Sequence, residues 1–259
     1  MSLGDVEIPQ VGVGVFQVPP EATVENVTHA LEAGYRHIDT AAAYGNEAEV
    51  GQAVRAFGLP REEVFITTKL WNDSHGFERA RQGLEASLER LGFDYVDLYL
   101  IHWPAPRQNR YVETWKALIG ARKDGLARAI GVSNFQPEHL RRIIDETGVT
   151  PAVNQIELHP YLTQVELRRV HAERGIVTEA WSPLAKGLAT EDPVIREIAE
   201  AHGRTPGQVV LRWHIQLGHV IFPKSMRPER LREKIDIFDF ELSREEMDRI
   251  EALDRGQRT

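Results

Sequence analysis

Asp39, Tyr44, Lys69 and His102 bring an acid, a phenol, an ammonium and an imidazole into an otherwise apolar pattern. Three of them close short strand-like runs: Tyr35-Arg-His-Ile-Asp39, Val64-Phe-Ile-Thr-Thr-Lys69 and Tyr95-Val-Asp-Leu-Tyr-Leu-Ile-His102. Tyr44 lies just past the first run. Polar groups at the ends of successive buried strands meet on one face of a sheet or barrel. These four types suit one task, protonating an oxygen as negative charge develops on it. A phenol of pKa ~10 is a poor acid near neutrality, and a nearby ammonium lowers it by favouring the phenolate. Lys69 is placed to supply that charge, and Asp39 to keep a buried lysine protonated through an ion pair. His102 is placed to orient a substrate oxygen or share the proton. Alone, each also has an ordinary structural role: a turn cap for Asp39, a snorkelling surface stem for Lys69, core positions for Tyr44 and His102. Their coincidence at strand ends points to chemistry.

The elements that must hold these residues alternate from end to end. Eight strand-like runs are Val11–Phe16, Tyr35–Asp39, Val64–Lys69, Tyr95–His102, Arg128–Val132, Ala152–Glu157, Ile176–Ala180 and His219–Pro223. Many are apolar on successive residues, as parallel strands covered on both faces are. Helical stripes lie between them: Val50, Ala53, Val54 and Phe57 before Gly58; Ala80, Leu84, Leu88 and Leu91 before Gly92; Leu140, Ile143 and Ile144 between Pro137 and Gly148. Asn46 with Glu49, Thr163 with Glu166 and Ser243 with Glu246 have capping-box spacing. Eight strands alternating with helices, without a linker or composition break, predict an α/β fold: one (β/α)8 TIM barrel over residues 1–259, with a doubly wound open sheet as the alternative. The active site of such a barrel lies at the C-terminal ends of its strands, where these polar residues fall.

Composition narrows the function classes. The chain has no cysteine, which excludes disulfides, thiolate metal sites and cysteine nucleophiles. A formal charge of −8 argues against a nucleic-acid or anionic-membrane surface. No apolar run approaches the ~20 residues of a membrane span, and no basic segment with an apolar core opens the chain, so the expectation is a cytoplasmic protein. Lys224, Arg227, Arg230, Arg232 and Lys234, against Glu229 and Glu233, give a local +3 near the last strand. Barrels of this kind usually bind phosphates there. Gly12-Val-Gly14 is a weak dinucleotide signal, because no helix opens behind it.

The blocks Gly34-Tyr-Arg-His-Ile-Asp-Thr-Ala-Ala-Ala-Tyr-Gly-Asn-Glu47, Ile66-Thr-Thr-Lys-Leu-Trp71 and Asp97-Leu-Tyr-Leu-Ile-His-Trp-Pro104 resemble the aldo-keto reductase family. Gly131-Val-Ser-Asn-Phe135, Asn154-Gln-Ile-Glu-Leu-His-Pro160 and Pro223-Lys-Ser225 continue the resemblance in family order over nearly the whole chain. Phe65–Asp73 and a Trp at position 181 are most similar to bacterial 2,5-diketo-D-gluconate reductase-like members. The resemblance implies a (β/α)8 barrel, NADPH as cofactor, and reduction of small aldehydes and ketones to alcohols by a monomer. It implies Tyr44 as proton donor, Lys69 as the cation beside it, Asp39 as the partner of Lys69, and His102 as the group orienting the carbonyl.

The resemblance also implies a cofactor set. Ser133, Asn134 and Gln155 match the carboxamide-binding trio and Trp181 the aromatic that stacks on the nicotinamide. Ser182 and Leu184 belong to the strap along the pyrophosphate, and Lys224, Ser225 and Arg230 surround the 2′-phosphate and adenine. Lys234 stands where many relatives have Asn. Phe16, Trp71, Trp103 and Phe135 match an aromatic wall around the substrate. Residues Met1–Pro9 read as a shortened N-terminal hairpin, and the stretch after the last helix is short, so an open pocket and broad substrate tolerance are expected. The alternatives are a nucleotide-binding regulator with a dormant site and a metal-dependent hydrolase on the same barrel, for which the sequence offers few converging ligands.

Overall fold

The computed structural model describes Met1–Thr259. A two-residue hairpin comes first, β1 (Ser2–Leu3) against β2 (Val6–Glu7). Then β3 (Val13–Gly14), α1 (Pro20–Glu32), β4 (His37–Asp39), α2 (Glu47–Phe57), β5 (Phe65–Leu70), α3 (Phe77–Leu91), β6 (Val96–Ile101) and α4 (Tyr111–Lys123) alternate. The alternation continues through β7 (Ala127–Ser133), α5 (Pro137–Thr147), β8 (Val153–Glu157), α6 (Val165–Arg174) and β9 (Val177–Trp181). Two helices, α7 (Pro193–His202) and α8 (Pro206–Gln216), precede β10 (Val220–Ile221), and α9 (Pro228–Ile235) and α10 (Arg244–Glu251) follow it.

Strands β3 to β10 pair in sequence order and all in parallel, so each of the eight expected runs supplies one strand. A parallel bridge between Val11 and Ile221 joins the two ends of the sheet. The hydrogen bonds Gly12 N to Ile221 O, 2.9 Å, and Ile221 N to Gln10 O, 2.9 Å, close the seam. The ring is therefore a (β/α)8 barrel rather than the open sheet. The first and last strands are shorter than their apolar runs suggest, because their outer residues only bridge across this seam. No helix is long and apolar enough to cross a membrane.

Two apolar layers hold the ring. A cluster of 54 buried residues fills the space between strands and helices. A second, of 10 residues, fills the bottom of the barrel, where Leu3, Val6 and Ile8 of the hairpin meet Phe65, Leu98, Leu100, Val153, Val220 and Phe222. The short hairpin thus still plugs the barrel. The glycines of Gly12-Val-Gly14 serve packing: a Cβ on Gly12 would stand 2.8 Å from the Phe222 ring.

Helix ends follow the sequence signals in part. Ser243 and Glu246 form the expected capping box on α10, and Pro137 and Gly148 bracket α5. Asn46 does not cap α2 with its side chain. Its amide donates to the Val15 and Val18 carbonyls, at 3.0 and 3.1 Å, and accepts from Thr40 Oγ1, tying the loop after β3 to the end of β4. Thr163 does not cap α6 either. That helix starts after Gln164, and the Thr163 hydroxyl donates to Asp254 Oδ2 at 2.7 Å. In both cases a tertiary partner takes the side-chain oxygen in place of the local backbone N–H.

Gly51 sits on the buried face of α2, and a Cβ there would come within 1.9 Å of the Leu91 carbonyl oxygen at the end of α3. Alanine in a helix interior is normally favourable by ~1 kcal/mol over glycine. Here the clash with backbone reverses the sign. Gly51→Ala is expected to lower stability by about 2 kcal/mol in chemical denaturation; an unchanged or raised midpoint would show that α2 and α3 can separate freely.

Candidate active site

Asp39 ends β4, Lys69 is the next-to-last residue of β5, and His102 follows β6 directly. Gly14 pairs with Asp39, Asp39 with Thr67, and Lys69 with Leu100, so the parallel register brings these ends to one height. Tyr44 closes a 3-10 turn, Ala42–Tyr44, which Gly45 ends in the left-handed region at φ 68°. Glycine enters that region without the Cβ penalty of other residues.

Lys69 is fully buried. Its ammonium donates to Asp39 Oδ1 at 2.7 Å, to the Thr40 carbonyl at 2.9 Å and to Tyr44 Oη at 3.4 Å, and lies 5.0 Å from the centre of the Tyr44 ring. Burial by itself would strip its proton. The Asp39 charge, with the hydrogen bonds to Asp39 and Tyr44, outweighs that, so its pKa lies above the usual lysine value and the side chain stays a cation. Burial drives the Tyr44 phenol upward and Asp39 adds to this, while Lys69 pulls it down without reversing the sign. The sequence-based expectation of a phenol brought toward neutrality is therefore corrected: desolvation wins, and Tyr44 carries its proton at neutral pH. Burial, reinforced by Lys69, pushes His102 down to about 3, so its imidazole is neutral. The His102 ring meets the edges of Tyr44 at 5.7 Å and Trp71 at 5.1 Å between centroids, and its Nδ1 is enclosed without a partner.

The strand ends beyond His102 form a second polar group. Ser133 Oγ donates to the Gln155 carbonyl at 2.8 Å. Asn134, at φ 62°, donates through Nδ2 to the His102 carbonyl at 3.1 Å and to Ser133 Oγ, and its Oδ1 accepts from Trp181 Nε1 at 3.0 Å. One amide thus braces the loop of His102 against the indole. Gln155 Nε2 donates to Asp39 Oδ2 at 2.9 Å and to Glu179 Oε2 at 2.8 Å. Glu179 is a fully buried residue of β9 that strand-end reasoning passed over. The available signal was a charged residue inside an apolar run.

Asp39, Tyr44, His102, Ser133, Asn134, Gln155 and Trp181 border one cleft of about 1740 Å3, with Lys69 and Glu179 enclosed behind them. It runs from Tyr44, His102 and Trp71 past Trp181, Ser182, Leu184 and Lys186 to Lys224 and Arg230. Lys224 and Arg230 are exposed and belong to none of the ion pairs of the structure. Lys234 is different: its ammonium donates to the Lys224 carbonyl at 2.6 Å and braces the loop. Four of the non-glycine residues with left-handed backbone, Gln17, Asn134, Ser182 and Lys186, line this cleft. Strained backbone commonly gathers where a ligand is gripped. An elongated cleft with free cations at one end, an indole midway and fixed hydrogen-bonding groups near Tyr44 fits the dinucleotide that the sequence led us to expect.

Two expected site residues do not reach the cleft. Phe135 is fully buried, packed edge-on against Tyr111 and His139, and is core rather than substrate wall. Ser225 is nearly buried, and its hydroxyl accepts from Arg227 N in a local turn. Phe16, Trp71 and Trp103 are where expected, partly exposed at the mouth, with Phe16 5.1 Å from Tyr44 between ring centroids. The last residues return to the rim: Arg258 Nη1 and the Thr259 backbone N–H both bond the Glu157 carboxylate, and Thr259 borders the cleft. No group of three or more His, Asp or Glu is arranged to hold a metal, so the hydrolase alternative has no ligand set here.

A family model for the Aldo/keto reductase family matches residues 3–255. An aldo-keto reductase of Mycolicibacterium smegmatis is 58% identical over 251 residues, spanning 97% of this chain and 91% of that protein. Methylglyoxal reductase DkgA of Escherichia coli is 51% identical over 253 residues, with 97% and 91% covered. A crystal structure of a Gox0644 mutant in complex with NADPH superposes with a TM-score of 0.93 at 50% identity, covering 96% of this chain and 90% of that one.

The depressed value of His102 has a direct test. Its folded pKa of about 3 lies below the unfolded value near 6.5. The stability it allows is complete above about pH 6.5 and is lost as pH falls from there toward 3, because only the unfolded chain takes up the proton. The His102 ring signals in 1H–15N spectra should not titrate between pH 5 and about 8; a midpoint near 6.5 would mean that the ring is solvated or paired with an anion.

Proposed function

This chain belongs to the aldo/keto reductase family, and from that membership we propose that it reduces small aldehydes and ketones to alcohols with NADPH, dicarbonyls of the methylglyoxal and 2,5-diketo-D-gluconate kind included. One observation carries the reading: a buried Lys69 ammonium held by Asp39 at 2.7 Å and placed 3.4 Å from the hydroxyl of Tyr44, at the base of the cleft. NADPH, when bound, supplies the hydride that the carbonyl carbon receives.

The protein's own groups supply the rest. Tyr44 enters the reaction protonated, the state a donor requires. It releases its proton only as negative charge grows on the substrate oxygen, and the Lys69 ammonium is already in place to stabilise the phenolate left behind. Both donors and acceptor are fixed before reaction, so no reorganisation is needed at that moment. His102, neutral and with Nδ1 enclosed, offers Nε2 to the carbonyl oxygen and aims it at Tyr44. Phe16, Trp71 and Trp103 wall the mouth and exclude water from the transfer.

The cofactor groups follow the length of the cleft. Gln155, Ser133 and Asn134 would hold the carboxamide, Trp181 the nicotinamide ring, and Ser182, Leu184 and Lys186 the pyrophosphate. Lys224 and Arg230 would hold the 2′-phosphate, which would favour NADPH over NADH. Lys186 is an addition to the residues singled out from sequence; its side chain is exposed on the strap. Ser225 holds the Lys224 loop by its turn rather than by a phosphate contact. Lys234 braces the same loop from the helix side.

Tryptophan fluorescence followed during titration with NADPH tests binding, and loss of nicotinamide absorbance on adding methylglyoxal tests turnover. Tyr44→Phe is expected to lower kcat by at least about 100-fold and to leave the NADPH Kd within about twofold. Retained turnover would remove Tyr44 as the acid. Quenching without turnover in the unmodified protein would favour the dormant regulator. Lys224→Ala with Arg230→Ala should weaken NADPH by about tenfold or more and NADH far less; equal losses would mean that the 2′-phosphate binds elsewhere.

A further inference from the structure

Glu179 is a buried acid of the barrel interior that the proposed chemistry leaves without a task and that, unlike Glu157, no cation meets. It lies within β9 in register with Gln155 on one side and Val220 on the other, and is completely enclosed. It forms no ion pair, and its only hydrogen bond is the one accepted from Gln155 Nε2 at 2.8 Å. Its Oε1 has no partner. An isolated buried carboxyl is costly, and an apolar side chain would fill the position at less cost. Whatever Glu179 contributes must pass through Gln155.

The Gln155 amide nitrogen has two hydrogens. One goes to Asp39 Oδ2 and the other to Glu179 Oε2, so both are engaged. Turning the amide over would set its carbonyl oxygen against the Asp39 carboxylate that pairs with Lys69 and would give up both N–H bonds. The amide therefore has one orientation, with its carbonyl oxygen as the only group free to face a ligand. We propose that Glu179 is a positioning residue that acts through Gln155: with Asp39 it captures both N–H bonds of the Gln155 amide, so that Gln155 presents an acceptor, and no donor, to the carboxamide N–H2 of a bound nicotinamide. This rests on Gln155 as a carboxamide contact and adds the reason that the contact has a fixed sense.

The protonation of Glu179 suits the task. Burial and then the charge of Asp39 push it up to about 8, against the smaller pull of the Gln155 hydrogen bond and of Lys69. At neutral pH it is a neutral acid whose Oε2 still accepts from Gln155. It thus orients the amide without adding a second negative charge beside the Asp39–Lys69 pair.

The probe is NADP+ against its 3-acetylpyridine analogue, which keeps the carbonyl and lacks the N–H2. Binding of both is followed by tryptophan quenching in the unmodified protein, Glu179→Gln and Glu179→Leu. The unmodified protein should prefer NADP+ by about tenfold, the scale of one well-placed hydrogen bond. Glu179→Gln, whose side-chain carbonyl accepts the same N–H, should keep the preference. Glu179→Leu should reduce it to within about twofold. Full preference in Glu179→Leu, or its loss in Glu179→Gln, overturns the proposal. Should the leucine variant not fold, the Gln155 side-chain amide of the unmodified protein decides the matter. Its 1H–15N signals, identified by their absence in Gln155→Met, should exchange slowly with solvent, and exchange as fast as a free amide overturns the lock. Failure of the protein to bind either dinucleotide would instead overturn the cofactor reading, and the amide signals would still judge the contact.

Discussion

The structure is organised around a single buried ion pair. Lys69 can remain charged inside a barrel only because Asp39 stands 2.7 Å away and the Thr40 carbonyl takes a second proton donor. Removing one partner of such a pair typically costs about 3–5 kcal/mol, since the other charge is left stranded. The fold meets this demand by register. Strands β4 and β5 must align so that a residue at the end of one faces a residue near the end of the other, and the seam at Val11 and Ile221 holds the ring that fixes their alignment. Tyr44, Gln155 and the neutral His102 are all arranged about that pair, each close enough to feel its field.

How much of this was legible in the residues depends on whether a side chain's role is set locally. The eight strands were readable because both faces of a parallel sheet must be apolar, and that leaves continuous runs. Asp39, Lys69 and His102 were legible because a polar group closing such a run has only the barrel mouth to point into, and Tyr44 stood out just past the first of these runs. The structure brings the four side chains together, while the upward push on Tyr44 was not legible: proximity to a lysine is visible in a motif, and depth of burial is not. Phe135 shows a second limit. An aromatic just past a strand end looks the same whether it turns toward the cleft or toward a helix, and here Tyr111 and His139 claim it.

The failed caps and the turned-in serine have a common origin. Asn46, Thr163 and Ser225 carry groups suited to a local partner or a ligand, but each is engaged by backbone or by a side chain far away or in its own turn. Short polar side chains bond whichever acceptor is closest in space, and spacing along the chain reports only some of the candidates. Glu179 was missed for the opposite reason. Its partner lies on the neighbouring strand, and the need for a buried carboxyl becomes apparent only when both hydrogens of the Gln155 amide are followed to their acceptors.

The small hairpin at the start of the chain has a consequence for traffic. Leu3, Val6 and Ile8 stop the barrel at one end with the same apolar residues that complete its floor. Whatever reaches Tyr44 therefore uses one doorway. Ligands that bind side by side in the cleft would share that doorway. Direction of access is in this sense a property of the plug, settled at the face of the barrel opposite the cleft.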